Sequence, residues 1–518
     1  MTAERQISRR PARTAPRFRW VFLAPLLAFI ALGAWAFASP IGASPDDDYH
    51  LVSIWCADSG GELCAPAAQQ NTRVVPSTFL DLICYVQIEQ RSASCQQSVW
   101  SGHPVATQRG NFANEYPPIF YSTMHVFAGG DIQISALVMR LVSAAIFVAL
   151  ATSLAVLLPV SRRSTLLWGW LVTLVPLGMF LIPSNNPSGW AITGVGTAFL
   201  ALLGWFETRG RRRWALGALY LVGTLMAAGS RGDGAVYAVG ATVTVLILTS
   251  ARTRPWALSA ILPAVGIILA VALFSSAGQA GTGMTGITGS GVTNPDLPAL
   301  GASQADPLGR AGLAAYNLLM LPFLWTGVWG TWSLGWFDTP LPAIVPWAAT
   351  AAFIVVAFAG VGRLNWRKAI AACGVLIVLI VLPVYVLTVG GDRVGTDLQP
   401  RYLLPLIVLF TFVLLVDPAE RFLNFSRVQN LAILGALTIA NLIALQVNIR
   451  RYITGTDAQG FNLDSGGEWW WTAFPVGPNA VWVIGALAYA GLLATLWPQL
   501  RPWVEPALEG DRLTRQRV

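Results

Sequence analysis

Long apolar runs separated by short polar breaks dominate the chain. The hydrocarbon core of a bilayer takes roughly 20 residues of helix. Runs of about that length fall at approximately 20–39, 134–158, 165–182, 189–206, 214–229, 234–250, 256–275, 341–361, 369–389, 402–416, 431–447 and 479–497. A further apolar stretch, 312–333, is rich in Trp and broken by Pro322, Gly327 and Gly330. It reads as an interfacial or re-entrant element. The pattern predicts an all-α, polytopic integral membrane protein with about twelve transmembrane helices.

Composition agrees, with 55% hydrophobic and 11% charged residues, against roughly 25% charged in a soluble domain. Basic residues set the orientation. Arg9, Arg10, Arg13, Arg17 and Arg19 precede the first run, and further clusters include Arg162-Arg163, Arg209 with Arg211–Arg213, Arg363 with Arg367 and Lys368, and Arg512, Arg515 and Arg517. Counting twelve spans places these clusters on one side, which is cytoplasmic by the positive-inside rule. Residues 1–19 and 498–518 are then cytoplasmic tails, flanking a membrane domain over 20–497. The net charge of +8 is an orientation signal with contact to anionic lipid heads, and no nucleic-acid partner is expected. The first run lacks a convincing cleavage site and is expected to be retained.

Three long segments fall outside on this count: a first loop over 40–130, a segment over 276–340 that holds the broken apolar stretch, and a Trp-rich loop over 449–478. Cys56, Cys64, Cys84 and Cys95 all lie in the first loop. Four cysteines on an oxidising face suggest two disulfides, locally Cys56–Cys64 and Cys84–Cys95, with a zinc site as the rival reading. The Gly/Ser/Thr-rich stretch 276–300 reads either as a lid or as a tolerated insertion. Trp469-Trp470-Trp471 reads as an interfacial anchor or a sugar-stacking platform, with the anchor favoured.

The chemistry gathers on the same face. Ser44-Pro45-Asp46-Asp47-Asp48-Tyr49-His50 follows the first span. Carboxylates there can deprotonate a hydroxyl, hold Mg²⁺ or Mn²⁺, or cap a short helix. In a helix, His50 shares a face with Asp46 and Asp47. Capping accounts for one aspartate, not three with a histidine. Other polar groups on this side are Tyr116-Pro117-Pro118 with Tyr121, Asn186-Pro187-Ser188-Gly189, Arg231-Gly232-Asp233, and the turn from Asp392 and Arg393 to Pro400-Arg401-Tyr402. Singly each reads as a turn; together they suggest a polar cavity.

These motifs, in this order, resemble the bacterial membrane family known as domain of unknown function 2142, with Pro45-Asp46-Asp47-Asp48-Tyr49-His50 similar to its Pro-Asp-Glu-x-x-His. Two departures stand out: Asp47 replaces the usual Glu, and Pro400 replaces a Gly. That family in turn resembles the GT-C glycosyltransferases. The resemblance implies a GT-C-like fold in a bacterial plasma membrane and a polyprenyl-phosphate-linked sugar donor. The acceptor would be a cell-envelope glycan or lipid. Asp46 or Asp47 would be the general base, Asp48 a bystander, and Arg401, Arg393 and Arg231 the groups that meet the departing phosphate. Tyr116, His50, Asp233 and Tyr402 complete the expected binding set. A transporter or flippase of lipid-linked saccharides is the competing reading, and no clear repeat relates the two halves as transporters often show.

Overall fold

The computed structural model describes residues 20–58, 63–278, 307–362, 364–396, 398–419, 423, 425–458, 460–471 and 474–500. Most of stretch 276–300, the tail 1–19 and residues 501–518 lie outside the described residues. Helix α1 (Trp20–Phe37) leads into the first loop, which folds as α2 (Asp47–Trp55), strands β1 (Ala65–Pro66), β2 (Arg73–Pro76) and β3 (Pro104–Thr107), α3 (Thr78–Asp81), a 3₁₀ turn over Ala93–Ser98, and α4 (Ile119–His125). The strands form one antiparallel sheet in the order β1-β2-β3, with Val74 opposite Ala106 and Val75 opposite Val105. An all-α expectation missed this sheet, because strands of two to four residues leave almost no alternating pattern to read.

The rest is helical: α5 (Ile132–Leu157), α6 (Val160–Leu174), α7 (Leu177–Leu181), α8 (Ser188–Glu207), α9 (Gly210–Ser230), α10 (Gly232–Thr249), α11 (Arg254–Ser259), α12 (Ile261–Ser275), α13 (Gly309–Thr326), α14 (Ile344–Val361), α15 (Trp366–Gly390), α16 (Pro400–Leu415), α17 (Arg427–Ile453) and α18 (Pro478–Leu496). Among the described residues, nine helices are long and apolar enough to cross a membrane; Val21–Phe37 and Pro400–Leu415 are shorter apolar helices. The expected span 165–182 is divided between α6 and α7. Pro176 between them lacks an N–H and its ring clashes with the preceding turn.

With no hydrophobic drive between helices in lipid, close packing depends on small residues. Gly194 of α8 and Gly223 of α9 show this directly. A Cβ added at Gly194 would lie 2.5 Å from both Ala227 N and Gly223 O, and one at Gly223 would lie 2.7 Å from Ala198 N. The two backbones touch where these glycines cross.

The face that carries the first loop is the loop face. A residue just after α12 and residues before α14 meet this face. Upstream, the Gly278 N–H donates to Asn114 O; downstream, Trp336 Nε1 donates to Gly42 O at 2.8 Å. Asn317 of α13 pairs with Asp392 O and Val394 N in the turn before α16, and Trp325 reaches Leu379 O within α15. Helix α13 therefore runs from beside this turn along α15, and a 3₁₀ turn at Gly327–Trp329 follows it. The helix's length and hydropathy suit a crossing.

Arg451, at the end of α17, fastens the loop-face segments together. It donates to Asp338 O and Oδ2, Tyr85 O and Arg91 O at 2.7–3.0 Å. Disulfides join Cys56 to Cys64 and Cys84 to Cys95, so these four sulfurs are not zinc ligands. Trp470 and Trp471 are buried, and Trp471 Nε1 donates to Phe37 O. Trp471 thus packs the end of α1 and Trp470 packs on Tyr452 of α17, so these two serve neither as a lipid-facing anchor nor as an open sugar platform.

Candidate functional site

The site starts from a backbone conformation. Asp46 is the N-cap of α2 with φ 63°, in the left-handed region that Asp tolerates better than most residues. Its carbonyl accepts from Tyr49 N and His50 N and starts the helix. Its side chain does not cap. It turns into a cluster of arginines instead: Oδ2 accepts from Arg401 Nη2 at 2.6 Å, and Oδ1 accepts from Arg109 Nη2 at 3.1 Å. The carboxylate keeps 31% of its surface exposed, whereas Arg401 and Arg109 are almost fully covered. Burial pushes the Asp46 carboxyl up, but Arg401 and Arg109 outweigh it and hold the group well below the usual carboxylate range.

Arg109 is itself fixed. Its Nε and Nη2 donate to Asp48 Oδ2 and Oδ1 at 2.8 and 3.0 Å, and it lies over the Tyr49 ring. Such fork-to-fork pairs hold a guanidinium in one plane. Asp48 is thus no bystander: fully buried, it aims Arg109 at Asp46. Arg401 is anchored by Pro45 O at 2.9 Å and the Tyr402 hydroxyl at 3.0 Å. Asn186 Nδ2 donates to the same Pro45 carbonyl, so the turns before α8 and α16 meet at Pro45–Asp46.

Asp47 faces the other way. It is wholly buried, and neither oxygen has a hydrogen-bond partner among the described residues. Arg140 Nη2 stands 3.7 Å away and spends its other bonds on Ala36 O, Ser39 O and Pro40 O. Burial pushes the Asp47 carboxyl up to about 7, with Arg140 opposing. His50 is held well below its usual range by burial and is therefore neutral; its Nδ1 meets the Tyr121 hydroxyl at 2.9 Å.

A third arginine completes the cluster. Arg231 Nε donates to Asp233 Oδ1 at 2.8 Å. Its guanidinium lies over Tyr402 at 4.6 Å and Tyr116 at 5.5 Å, while Arg401 lies over the same Tyr402 ring at 4.9 Å. Tyr116 packs against His50 and Tyr121. Buried polar atoms are nearly always paired. Here Arg231 Nη2, Arg401 Nε, His50 Nε2, Ser44 Oγ, Ser188 Oγ and the Asn185 amide all lack a partner among the described residues. A set of unused donors and acceptors is what a polar ligand or ordered water would satisfy.

Beside Arg401 lies a small pocket. Pro45, Gln399 and Pro400 form one wall, Leu177, Phe180 and Leu181 of α7 another, and Gly327, Trp332 and Phe337, at and after the end of α13, a third. Asp46, His50, Tyr116, Arg231, Asp233, Arg401 and Tyr402 are thus brought together. Asp47 lies behind them, and Arg393 stacks on Tyr316 of α13 instead. Arg109 was missed from the sequence. The available signal was a lone arginine between Arg91 and Arg140, in the loop that holds the acidic run. The donor set does not fit Mg²⁺ or Mn²⁺. Both Asp46 oxygens are engaged by guanidinium groups, Asp47 faces Arg140, and no group of three acidic, His or Cys side chains converges among the described residues.

Apolar helices of spanning length with a charged pocket at one face define a multi-pass membrane protein. The family model for predicted membrane proteins, DUF2142, matches residues 29–410. That range covers most of the chain and every residue of the cluster, and the protein belongs to this family. No curated protein and no solved structure gives a match.

Proposed function

We propose that the protein is a glycosyltransferase that moves a sugar from a polyprenyl-phosphate donor to an extracytoplasmic glycan or lipid hydroxyl. One observation carries this reading: a partly exposed carboxylate, Asp46, is ion-paired to Arg401 beside a pocket at the loop face. Arginine forks bind phosphate as they bind carboxylate, so Asp46 occupies in the resting protein a position suited to an anionic ligand. Donor phosphate would draw Arg401 and the unused Nη2 of Arg231, and Asp46, relieved of one cation, would become more basic. The acceptor oxygen then attacks the anomeric carbon and its proton passes to Asp46. The bond from that carbon to the phosphate oxygen breaks, and polyprenyl phosphate leaves with the electron pair, its charge met by the arginines.

The disulfides and the basic clusters support a loop face outside the plasma membrane of a bacterium, with both termini inside and about twelve crossings. The test uses membranes that carry the full chain and a radiolabelled polyprenyl-phosphate sugar. Asp46→Asn and Arg401→Gln should each lower transfer by about 10²–10³-fold. Undiminished transfer by both variants overturns the assignment. Movement of lipid-linked sugar across vesicles with no new glycosidic bond would make the protein a transporter.

A further inference from the structure

One residue of the pocket beside Arg401 is held in a backbone conformation that its side chain resists. Phe337 has φ 64°, and a bulky aromatic in the left-handed region is a genuine outlier. Such strain persists only where the surroundings over-determine it, and it gathers at ligand clamps. Here the neighbours do so. Leu334 N donates to Thr339 O at 3.0 Å and closes the turn over 334–339. Trp336 Nε1 donates to Gly42 O, and the Asp338 carboxylate accepts from Arg451 Nη2 at 2.8 Å and from Gln87 N at 3.2 Å. Gly335, also left-handed, has no room for a Cβ, which would lie 2.5 Å from the Tyr452 hydroxyl. The result presents an aromatic ring. Phe337 lines the pocket, keeps 38% of its surface exposed, and meets Trp332 edge to face with ring centres 5.4 Å apart.

We propose that Phe337 is the platform for a sugar ring of the acceptor, so that the acceptor presents a glycan and not a plain lipid alcohol. This rests on the reading of Asp46 as the base. A sugar ring has a flat face of C–H groups, which suits the negative face of an aromatic ring, and a rim of hydroxyls. The polar groups beside Phe337 fit that rim. Gln399 and Ser333 line the same pocket, and Gln399 Oε1 is buried with no partner among the described residues. A hydroxyl can donate to it, whereas a phosphate diester has no proton to give. Aromatic walls with a few placed polar groups are the usual make-up of a site for an organic ligand. The ring belongs to the acceptor because the platform is bonded to the loop that carries the base. Gly42 and Gln87, which hold Trp336 and Asp338, lie in the first loop with Asp46, and Pro45 lines the pocket itself.

The purified full chain in lipid nanodiscs is mixed with a panel of methyl glycosides, pyranose and furanose, and read by saturation-transfer NMR. At least one glycoside should give signals from its ring C–H groups. Phe337→Gly should weaken them about five-fold or more, while Phe337→Tyr keeps them. Glycine relieves the left-handed strain, so the unfolding midpoint of Phe337→Gly should be no lower than that of wild type. The Gln399 side chain makes no cap bond to α16, and Gln399→Leu should weaken the same signals without moving the midpoint. If Phe337→Gly fails to fold, Gln399→Leu decides alone, and unchanged signals there overturn the proposal. Absence of signal from every glycoside in the wild type overturns it as well. Signals unchanged in Phe337→Gly do the same and leave Phe337 as an anchor at the membrane interface. Displacement of the glycoside by a polyprenyl-phosphate sugar assigns the ring to the donor and refutes the acceptor platform. If wild type transfers no sugar, the glycosyltransferase reading fails, while these spectra still decide whether Phe337 holds a sugar ring.

Discussion

Replacing Asp47 with Asn separates the two neighbouring aspartates in one experiment. Asp47 is fully buried with both oxygens unpartnered among the described residues, and its carboxyl is pushed up to about 7. In the unfolded chain an Asp titrates near 4. Between about pH 4 and 7, the folded state keeps a proton on Asp47 that the unfolded state has released, so this residue lowers stability as pH rises through that window. At about 1.4 kcal/mol per pH unit, the loss across the window is on the order of 4 kcal/mol. It levels off above about 7, where both states are ionised. Asn mimics the neutral form already present at pH 4, and Arg140 keeps its three carbonyl partners. The assay is thermal unfolding in detergent, followed by tryptophan fluorescence from pH 4 to 8, with the variant compared to wild type at each pH. That comparison matters because neutral, buried His50 contributes the opposite slope below its usual range. The stability gained by Asp47→Asn should grow steadily from pH 4 to 7, and sugar transfer should persist. A difference that is flat with pH, or a variant less stable than wild type at pH 7, refutes the account of Asp47. Loss of transfer by this variant with Asp46→Asn active would reverse the roles of the two residues.

Other consequences are as direct. Arg109→Gln strips the buried Asp48 carboxylate of its fork and should cost about 3–5 kcal/mol, read as a lower unfolding midpoint and a reduced yield of folded protein from detergent. Loss of either loop disulfide by paired Cys→Ser replacement should cost about 2.5 kcal/mol for loops of 8 and 11 residues; alkylation without reductant should find both pairs closed in the wild type. Gly223→Val should separate α8 from α9, destabilising by about 1–3 kcal/mol or more, measured as faster thermal inactivation, with no effect if the backbone contact is absent.

The helices were legible because hydrophobic length is a one-dimensional signal, and span after span falls within a described helix. The division at Pro176 was not, because a proline near the end of an apolar run leaves the hydropathy unchanged. At the site, residue types and the face they share could be read, whereas directions could not. Asp46 and Asp47 are adjacent letters, and only the left-handed turn at Asp46 sends one carboxylate to Arg401 and the other to Arg140. Arg109 was hidden for a similar reason: its role depends on Asp48, which lies 61 positions away.

The ion pair between Asp46 and Arg401 joins residues 355 positions apart, and this bears on how the protein is made. During synthesis Asp46 emerges with the first helix, while the arginine that answers it waits for α16. Until then the early loop carries an acidic patch with Arg109 as its nearby counter-charge, and the pocket has no floor at Pro400. A nascent chain stalled before α16 would hold its disulfides and most of its membrane helices, yet have no site. Completion of the pocket therefore reports on the late helices, and a chain that ends between α15 and residue 401 lacks the arginine that answers Asp46.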